Sequence, residues 1–108
     1  MAEYVFDEKD NGTHVQVERG AEITVELKEN PTTGYRWVTG SIDEAFLVPA
    51  GDEFVPPDRK TRGAGGLRRF FFRAKIEGST TLTLINKRAW QSDDQAIDTF
   101  KLRIRILT

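Results

Sequence analysis

Alternation of apolar and polar residues dominates this chain and predicts β-strands. Apolar side chains recur at every second position, whereas a period near 3.6 residues is weak. The first two apolar sets are predicted to be neighbouring strands joined at Arg19-Gly20, and the last three to form a β-meander of long strands. In chain order, the sets are Val15 and Val17; Ile23, Val25 and Leu27; Phe70, Phe72, Ala74 and Ile76; Leu82 and Leu84; and Phe100, Leu102, Ile104 and Ile106.

Shorter elements complete the predicted fold. Strands are predicted at Tyr4 to Phe6, Tyr35 to Val38 and Glu53 to Val55, and a helical turn at Ile42 to Leu47. The segments 30–34, 49–52, 56–66 and 88–95 are rich in Gly, Pro, Asn, Asp or Ser, which is typical of loops. About seven to eight short strands separated by turns predict an all-β, immunoglobulin-like β-sandwich, with a small barrel as the alternative.

Length, composition and charge set broad limits on function. A chain of 108 residues predicts a single domain spanning residues 1–108, and 31% charged with 38% hydrophobic residues is typical of a soluble domain. The net charge of -1 gives no global attraction to nucleic acid or an anionic membrane. No apolar run approaches the roughly 20 residues of a membrane span, and the absence of cysteine excludes disulfides and thiolate chemistry. Localisation stays open.

The chain carries little that could support catalysis or metal binding. It has one histidine, His14, which lies on the polar face of a predicted strand and is interpreted as solvated. No histidine pair or acidic cluster has metal-ligand spacing, and the adjacent Asp93 and Asp94 are expected to be hydrated. We therefore expect neither an enzyme nor a bound cofactor.

A local charge imbalance is the one feature that could favour nucleic acid. Residues 59–73 contain six basic side chains and no acidic one, whereas residues 40–58 contain five acidic side chains and no basic one. Single-stranded nucleic acid would require exposed aromatic rings beside the basic residues. Phe70 and Phe72 are assigned to the core, which leaves Phe71 alone. A solvated strand face, or a loop complementary to an acidic protein surface, is the favoured interpretation.

The segment Asn30-Pro31-Thr32-Thr33-Gly34-Tyr35 predicts a stiff binding loop. Pro31 fixes one φ angle, Gly34 allows a positive φ, and the Asn30 side chain can cap the turn. Two hydroxyl groups then lie at the tip of the loop. Taken by itself, the segment could also be an ordinary turn.

Two further motifs give this loop a specific context. Asn30 to Tyr35 is followed by Trp37, expected to be a core residue, then by Gly63-Ala64-Gly65-Gly66 and by Arg88-Ala89-Trp90. In order and approximate spacing, this set resembles the chagasin-type inhibitors of cysteine peptidases. The resemblance covers essentially the whole chain. It implies an immunoglobulin-like sandwich whose three loops enter the active-site cleft of papain-family peptidases and inhibit them reversibly, with the inhibitor expected to act as a monomer.

The resemblance also implies a role for each loop. Thr32 and Thr33 would approach the catalytic Cys-His pair of the peptidase without presenting a peptide carbonyl for attack. The Gly63 to Gly66 loop would pair with the enzyme through its backbone on the non-primed side. Trp90 would stack on an aromatic surface of the primed side.

Ala89 is where the chain departs from the family pattern. The third loop of the family usually reads Arg-Pro-aromatic, so the φ angle of Ala89 is less restricted than that of the usual proline. We expect somewhat weaker binding than a proline version would give. The alternative hypothesis is an immunoglobulin-like binding or adhesion module that lacks inhibitory activity.

Overall fold

The structure, a computed structural model, describes residues 2–57 and 65–108. Within these ranges it contains eight strands and three short 3-10 helices, at Glu8–Asp10, Pro31–Thr33 and Asp93–Gln95. No helix in the described ranges is long and apolar enough to cross a membrane. The strands are β1 Glu3–Phe6, β2 His14–Glu18, β3 Glu22–Glu29, β4 Tyr35–Ser41, β5 Leu47–Val55, β6 Gly66–Ala74, β7 Gly78–Arg88 and β8 Asp98–Leu107.

The strands form two four-stranded sheets. One sheet has the order β1-β3-β6-β5, and the other has the order β2-β8-β7-β4. The pairs β1-β3 and β2-β8 are parallel, and the remaining pairs are antiparallel. This arrangement confirms the predicted β-sandwich and excludes the small barrel.

Two of the predicted relationships between strands are wrong: β2 is not a neighbour of β3, and β6 is not part of a meander with β7 and β8. Strands β2 and β3 lie in different sheets, and the Arg19-Gly20 turn crosses between them. Its two amides donate to different sheets, Arg19 N–H to Leu107 O at 2.8 Å and Gly20 N–H to Ala74 O at 2.8 Å. The meander holds for β7 and β8, but β6 belongs to the other sheet. Alternation identifies the residues that face the core, and strands from either sheet show the same alternation.

One hydrophobic core lies between the sheets. Trp37 is 4% exposed, which confirms its predicted core position. Ile76 was assigned to the core by its spacing from Ala74, but it is 42% exposed because β6 ends at Ala74. The largest fully buried side chains are Phe100, Ile23, Leu27, Leu47, Leu82, Leu84, Leu102, Ile104, Ile106, Val17 and Val25.

Strand β5 is longer than the sequence predicted. It begins at Leu47 and includes the 49–52 segment that was predicted to be a loop. A shift in register between Pro49 and Asp52 allows the strand to pass through this proline and glycine-containing segment. The predicted helical turn at 42–47 is a single turn in which Phe46 N–H and Leu47 N–H both donate to Asp43 O at 3.0 Å.

The register of the strands brings three connections to one end of the sandwich. Glu29, the last residue of β3, pairs with Gly66, the first residue of β6. Tyr35, the first residue of β4, pairs with Arg88, the last residue of β7. The connections 30–34, 56–65 and 89–97 therefore leave the sheets side by side. We call them the first, second and third loops.

Candidate functional site

The first loop is closed by its own hydrogen bonds. Asn30 Oδ1 accepts Thr32 N–H at 3.1 Å, and Asn30 O accepts Thr33 N–H at 3.2 Å. Gly34 N–H donates to Pro31 O at 3.2 Å, and Gly34 has a φ of 80°, in the left-handed region. These contacts form the Pro31–Thr33 3-10 helix and confirm the predicted asparagine cap and positive glycine φ.

Both hydroxyl groups of this loop are oriented by hydrogen bonds. Thr32 Oγ1 donates to Asn30 Oδ1 at 2.7 Å, and Thr33 Oγ1 donates to Asn30 O at 2.8 Å. Thr33 Oγ1 also accepts Tyr35 N–H at 3.2 Å. Because each hydroxyl proton is used inside the loop, the lone pairs of Thr32 Oγ1 are what the exposed tip offers to another molecule.

The third loop begins with a tight turn. Gln91 N–H donates to Arg88 O at 3.0 Å, while the Gln91 side chain accepts Arg88 N–H at 2.9 Å. Lys87 Nζ reaches both Gln91 O and the Asp93 carboxylate at 2.9 Å. The turn places Trp90 outward, with 77% of its surface exposed.

Arg88 connects the third loop to the first. Its guanidinium lies 4.5 Å from the centre of the Tyr35 ring and 5.8 Å from the centre of the Trp90 ring. A Cβ atom added at Gly34 would lie 3.8 Å from Arg88 Nε. Contacts at these distances are attractive cation–π contacts, so one guanidinium connects a ring of each loop. The two loops thus form one surface.

The second loop is described only at its two ends, at residues 56–57 and at Gly65. Gly63 and Ala64 lie outside the described residues. Gly65 is exposed, yet a Cβ atom there would lie 2.6 Å from Glu29 O, so only glycine fits beside the first loop. Gly66 is buried at the start of β6, where a Cβ atom would lie 2.1 Å from Val55 O.

A buried ion pair lies beneath the loops. Arg68 donates through Nε at 3.1 Å and Nη2 at 2.8 Å to Glu29 Oε2. The other carboxylate oxygen, Glu29 Oε1, accepts Trp37 N–H at 2.7 Å, and Trp37 Nε1 donates to Lys28 O at 2.9 Å. Since Glu29 and Arg68 belong to one sheet and Trp37 to the other, the hydrogen bond from Trp37 N–H to Glu29 joins the two sheets at the loop end.

The ion pair continues toward the surface. Arg68 Nη1 donates to Asp52 Oδ2 at 3.0 Å, and the same oxygen lies 3.5 Å from Arg36 Nη2. The Arg68 guanidinium also lies 5.5 Å from the centre of the Phe54 ring. Strands β3, β4, β5 and β6 are therefore linked by side chains directly below the three loops.

This network corrects the interpretation of the basic stretch. Arg68 is 9% exposed and is not part of a solvated face. Strand β6 lies between β3 and β5, so the basic and acidic segments of the sequence pair with each other. The ion pairs of strand β6 are Arg68 with Glu29 and Asp52, Arg69 with Glu26 and Glu53, and Arg73 with Glu22.

Sequence reasoning missed Glu29 and Arg68. A signal was present, because each occupies a position that continues the alternation of buried residues, Glu29 after Leu27 and Arg68 before Phe70. A charged residue at a core-facing position requires a partner.

The remaining polar candidates lie elsewhere. His14 is exposed on β2, as predicted, and contacts Arg103 rather than any loop residue. Among the described residues, no group of three or more His, Cys, Asp or Glu side chains could hold a metal ion. The site offers an exposed indole and threonine oxygens on tightly fixed loops, which suits binding to a protein cleft.

Comparison with known proteins agrees with this geometry. The family model described as chagasin family peptidase inhibitor I42 matches residues 16–104. Chagasin of Trypanosoma cruzi is 27% identical over 99 residues, covering 88% of this chain and 90% of chagasin.

Solved structures show the same fold. The cysteine protease inhibitor EhICP2 of Entamoeba histolytica superposes with a TM-score of 0.83 at 19% identity, covering 97% of this chain and 95% of EhICP2. PbICP-C, solved in complex with falcipain-2, superposes with a TM-score of 0.58 at 15% identity, covering 94% of this chain and 88% of PbICP-C. Because the family model spans most of the sequence, this chain belongs to the chagasin family and is a peptidase inhibitor rather than an enzyme.

Proposed function

We propose that the three loops form the surface with which this protein enters the active-site cleft of papain-family cysteine peptidases. The main support for the proposal is that exposed side chains stand on ordered loops. Trp90 and Thr32 are exposed, and hydrogen bonds within the first and third loops fix the backbone that carries them. Loops that are ordered before binding lose little conformational entropy on association. Inhibition is then tight and reversible without covalent chemistry.

The first loop would occupy the cleft without being cleaved. A peptidase attacks a carbonyl in an extended segment, but Asn30 O and Pro31 O are both hydrogen-bonded inside a 3-10 turn. The nucleophile of the peptidase would therefore meet the side chains of Thr32 and Thr33 rather than a free carbonyl group. The oxygen of Thr32 would accept a hydrogen bond from the protonated imidazole of the catalytic pair.

The third loop would supply the main apolar contact. Trp90 has a large exposed ring that lies beside the Arg88 guanidinium. Burial of a Trp in a central interface pocket is typically worth about 2 kcal/mol or more. With all three loops engaged, the interface would bury roughly 800 Å² on each partner, the usual size for peptidase–inhibitor pairs.

The second loop would contribute backbone contacts. The role proposed for Gly63 to Gly66 is pairing with the peptidase on the non-primed side. Gly65 is exposed and leads into β6, whereas Gly66 is buried between Val55 and Glu29 at the base of the loop. Direct contact would therefore come from the residues before Gly66.

Titration of papain with the protein, using a fluorogenic peptide substrate, tests the proposal. We expect Thr32→Ala and Trp90→Ala to raise the inhibition constant, whereas His14→Ala, an exposed substitution on the β2 strand, leaves it unchanged. Equal effects of all three substitutions would show that the loops are not the contact surface. No inhibition by the unmodified protein at micromolar concentration would overturn the proposal.

A further inference from the structure

The outer face of the β2-β8-β7 sheet carries a column of positive charge. Lys101, Arg103 and Arg105 alternate with the buried residues of β8, and all three are exposed. Alternate residues of a strand lie about 7 Å apart on one face. We call these three residues the cationic column. It starts three residues after Asp98, where β8 leaves the third loop, and runs away from the peptidase-binding end.

Polar side chains flank the column on both sides. On β2, His14 pairs with Arg103 and Gln16 with Arg105. On β7, Thr81 pairs with Arg103 and Ser79 with Arg105.

These neighbours hold the guanidinium groups without neutralising them. Arg103 Nη1 lies 3.2 Å from His14 Nε2, and Arg105 Nη1 donates to Ser79 Oγ at 3.2 Å. Together these side chains line an open depression of about 410 Å³.

The charge of the column is uncompensated within the described part of the chain. None of its three residues forms an ion pair there, whereas the arginines of β6 all do. Glu18, the acidic residue of β2, accepts a hydrogen bond from Tyr4 OH at 2.5 Å. A protein with a net charge of -1 therefore presents one strongly basic sheet face.

We propose that this face binds a linear sulfated polysaccharide, with sulfate groups on the cationic column. Guanidinium groups bind tetrahedral oxyanions through paired, charge-assisted hydrogen bonds. The hydroxyl and amide groups of Ser79, Thr81 and Gln16 suit the hydroxyls of sugar rings between the sulfates. The exposed positions of β2, β7 and β8 carry no Phe, Tyr or Trp ring for base stacking, so a single-stranded nucleic acid fits this face less well.

Calorimetric titration with a heparin dodecasaccharide tests the proposal. We expect the variant K101Q/R103Q/R105Q to bind roughly tenfold or more weakly than the unmodified protein, since three sulfate contacts are lost. The matched control is K28Q/R73Q/K75Q, which removes the same charge from exposed positions outside this sheet. This control is expected to retain the affinity, and both variants to keep their melting temperature and papain inhibition.

Several outcomes would overturn the proposal. These are absence of heparin binding, equal loss of binding in the control, and equal affinity for chemically desulfated heparin. Tighter binding of a single-stranded oligonucleotide, lost in the column variant alone, would assign the face to nucleic acid instead. Because papain inhibition is measured in parallel, failure of the polysaccharide proposal remains distinct from failure of the proposed loop surface.

Discussion

Arg68 directs two N–H groups at a single oxygen of Glu29, at 2.8 and 3.1 Å, in the interior beneath the three loops. Glu29 is 3% exposed and Arg68 is 9% exposed. Burying two charges is costly, and this cost is offset only when each charge is fully hydrogen-bonded. Here Trp37 N–H satisfies the second oxygen of Glu29, and Asp52 takes a further N–H of Arg68. The pair therefore stabilises one arrangement of the loop ends.

Removing one member of this pair should be strongly destabilising. We expect Arg68→Met to lower the free energy of unfolding by about 3–5 kcal/mol, because it leaves Glu29 charged and buried without its partner. Urea unfolding, followed by tryptophan fluorescence, measures the change. The double variant E29Q/R68M should recover much of the loss, because no buried charge remains unpaired.

The chain supplies a matched control for this prediction. Arg73 and Glu22 join the same two strands at the opposite end, where the charges are 3.9 Å apart and largely exposed. Arg73→Met should change the free energy of unfolding by no more than about 0.5 kcal/mol. If Arg68→Met proved as mild as Arg73→Met, the buried pair would have no special role.

Gly34 is predicted to be essential for the shape of the first loop. Its φ of 80° disfavours an L-residue, although a Cβ atom would meet only Arg88, at ordinary contact distance. Gly34→Ala should therefore cost about 1–2 kcal/mol of stability through backbone strain. If part of this strain is relieved by a change in loop shape, papain inhibition should weaken roughly tenfold, which corresponds to about 1.4 kcal/mol.

Gly12 separates these two effects. It has nearly the same φ, 82°, and no atom lies within 4 Å of an added Cβ. Gly12→Ala should destabilise the protein as much as Gly34→Ala, yet leave papain inhibition unchanged. Equal inhibition by both variants would contradict the role assigned to the first loop.

The positions of buried and exposed residues were predictable, whereas the pairing of strands was not. Alternation placed Val17, Ile23 and Phe72 in the core, and the structure buries all three. The same alternation could not show that β2 and β3 lie in opposite sheets, because each buries one face in either arrangement. Nor could it show that β5 continues through Pro49, since the register shift that accommodates this residue depends on β6.

At the candidate site, local chemistry was predictable and long-range contacts were not. The cap by Asn30 and the positive φ of Gly34 follow from the side chains themselves. Arg68 was assigned to a solvated stretch because its partner Glu29 lies 39 residues away in sequence. Likewise, position 65 requires glycine because a Cβ atom there would clash with Glu29 O. Glu29 is distant in sequence, at the end of β3 just before the first loop.

Tyr4 and Glu18 should give a measurable pH effect at the far side of the molecule. The hydrogen bond from Tyr4 lowers the pKa of Glu18, and the same bond raises the pKa of Tyr4. The stabilisation that comes from the lowered pKa of Glu18 is present at pH values above the ordinary glutamate pKa. It is lost as the pH falls through the pKa of Glu18 in the folded protein. The stabilisation that comes from the raised pKa of Tyr4 is present below about pH 10, the ordinary tyrosine pKa, and is lost as the pH rises through the pKa of Tyr4 in the folded protein.

The variant Tyr4→Phe tests this linkage. The Glu18 pKa, measured by NMR of its carboxyl carbon, should rise toward the ordinary value. The stability difference between the variant and the unmodified protein should be constant near neutral pH and shrink in acid and in strong base. Tyr35→Phe, at the opposite end, should leave the Glu18 titration unchanged, and a shift there would point to a general effect of the substitution.

Ala89→Pro should strengthen inhibition, because Ala89 occupies a turn position at which proline is favoured. Gln91 N–H donates to Arg88 O, so Ala89 is the second residue of a β-turn. Its φ is negative, since no described residue other than glycine has a positive φ. Proline is favoured at this position of type I and type II turns. Proline would reduce the entropy that the loop loses on binding, which we expect to improve the binding free energy by about 0.4–1 kcal/mol. That gain would lower the inhibition constant roughly twofold to fivefold.

Ala96 provides the counter-test within the same loop. Its φ of -58° would also suit proline, but its N–H donates to Asp93 O at 3.2 Å, and proline would remove that hydrogen bond. In the described structure, Ala89 N–H makes no such backbone bond. Ala96→Pro should therefore bring no gain in inhibition and a loss of stability. If Ala89→Pro left inhibition of papain unchanged or weaker, the third loop would owe its order to Arg88 and Gln91 alone, and the usual family proline would be dispensable here.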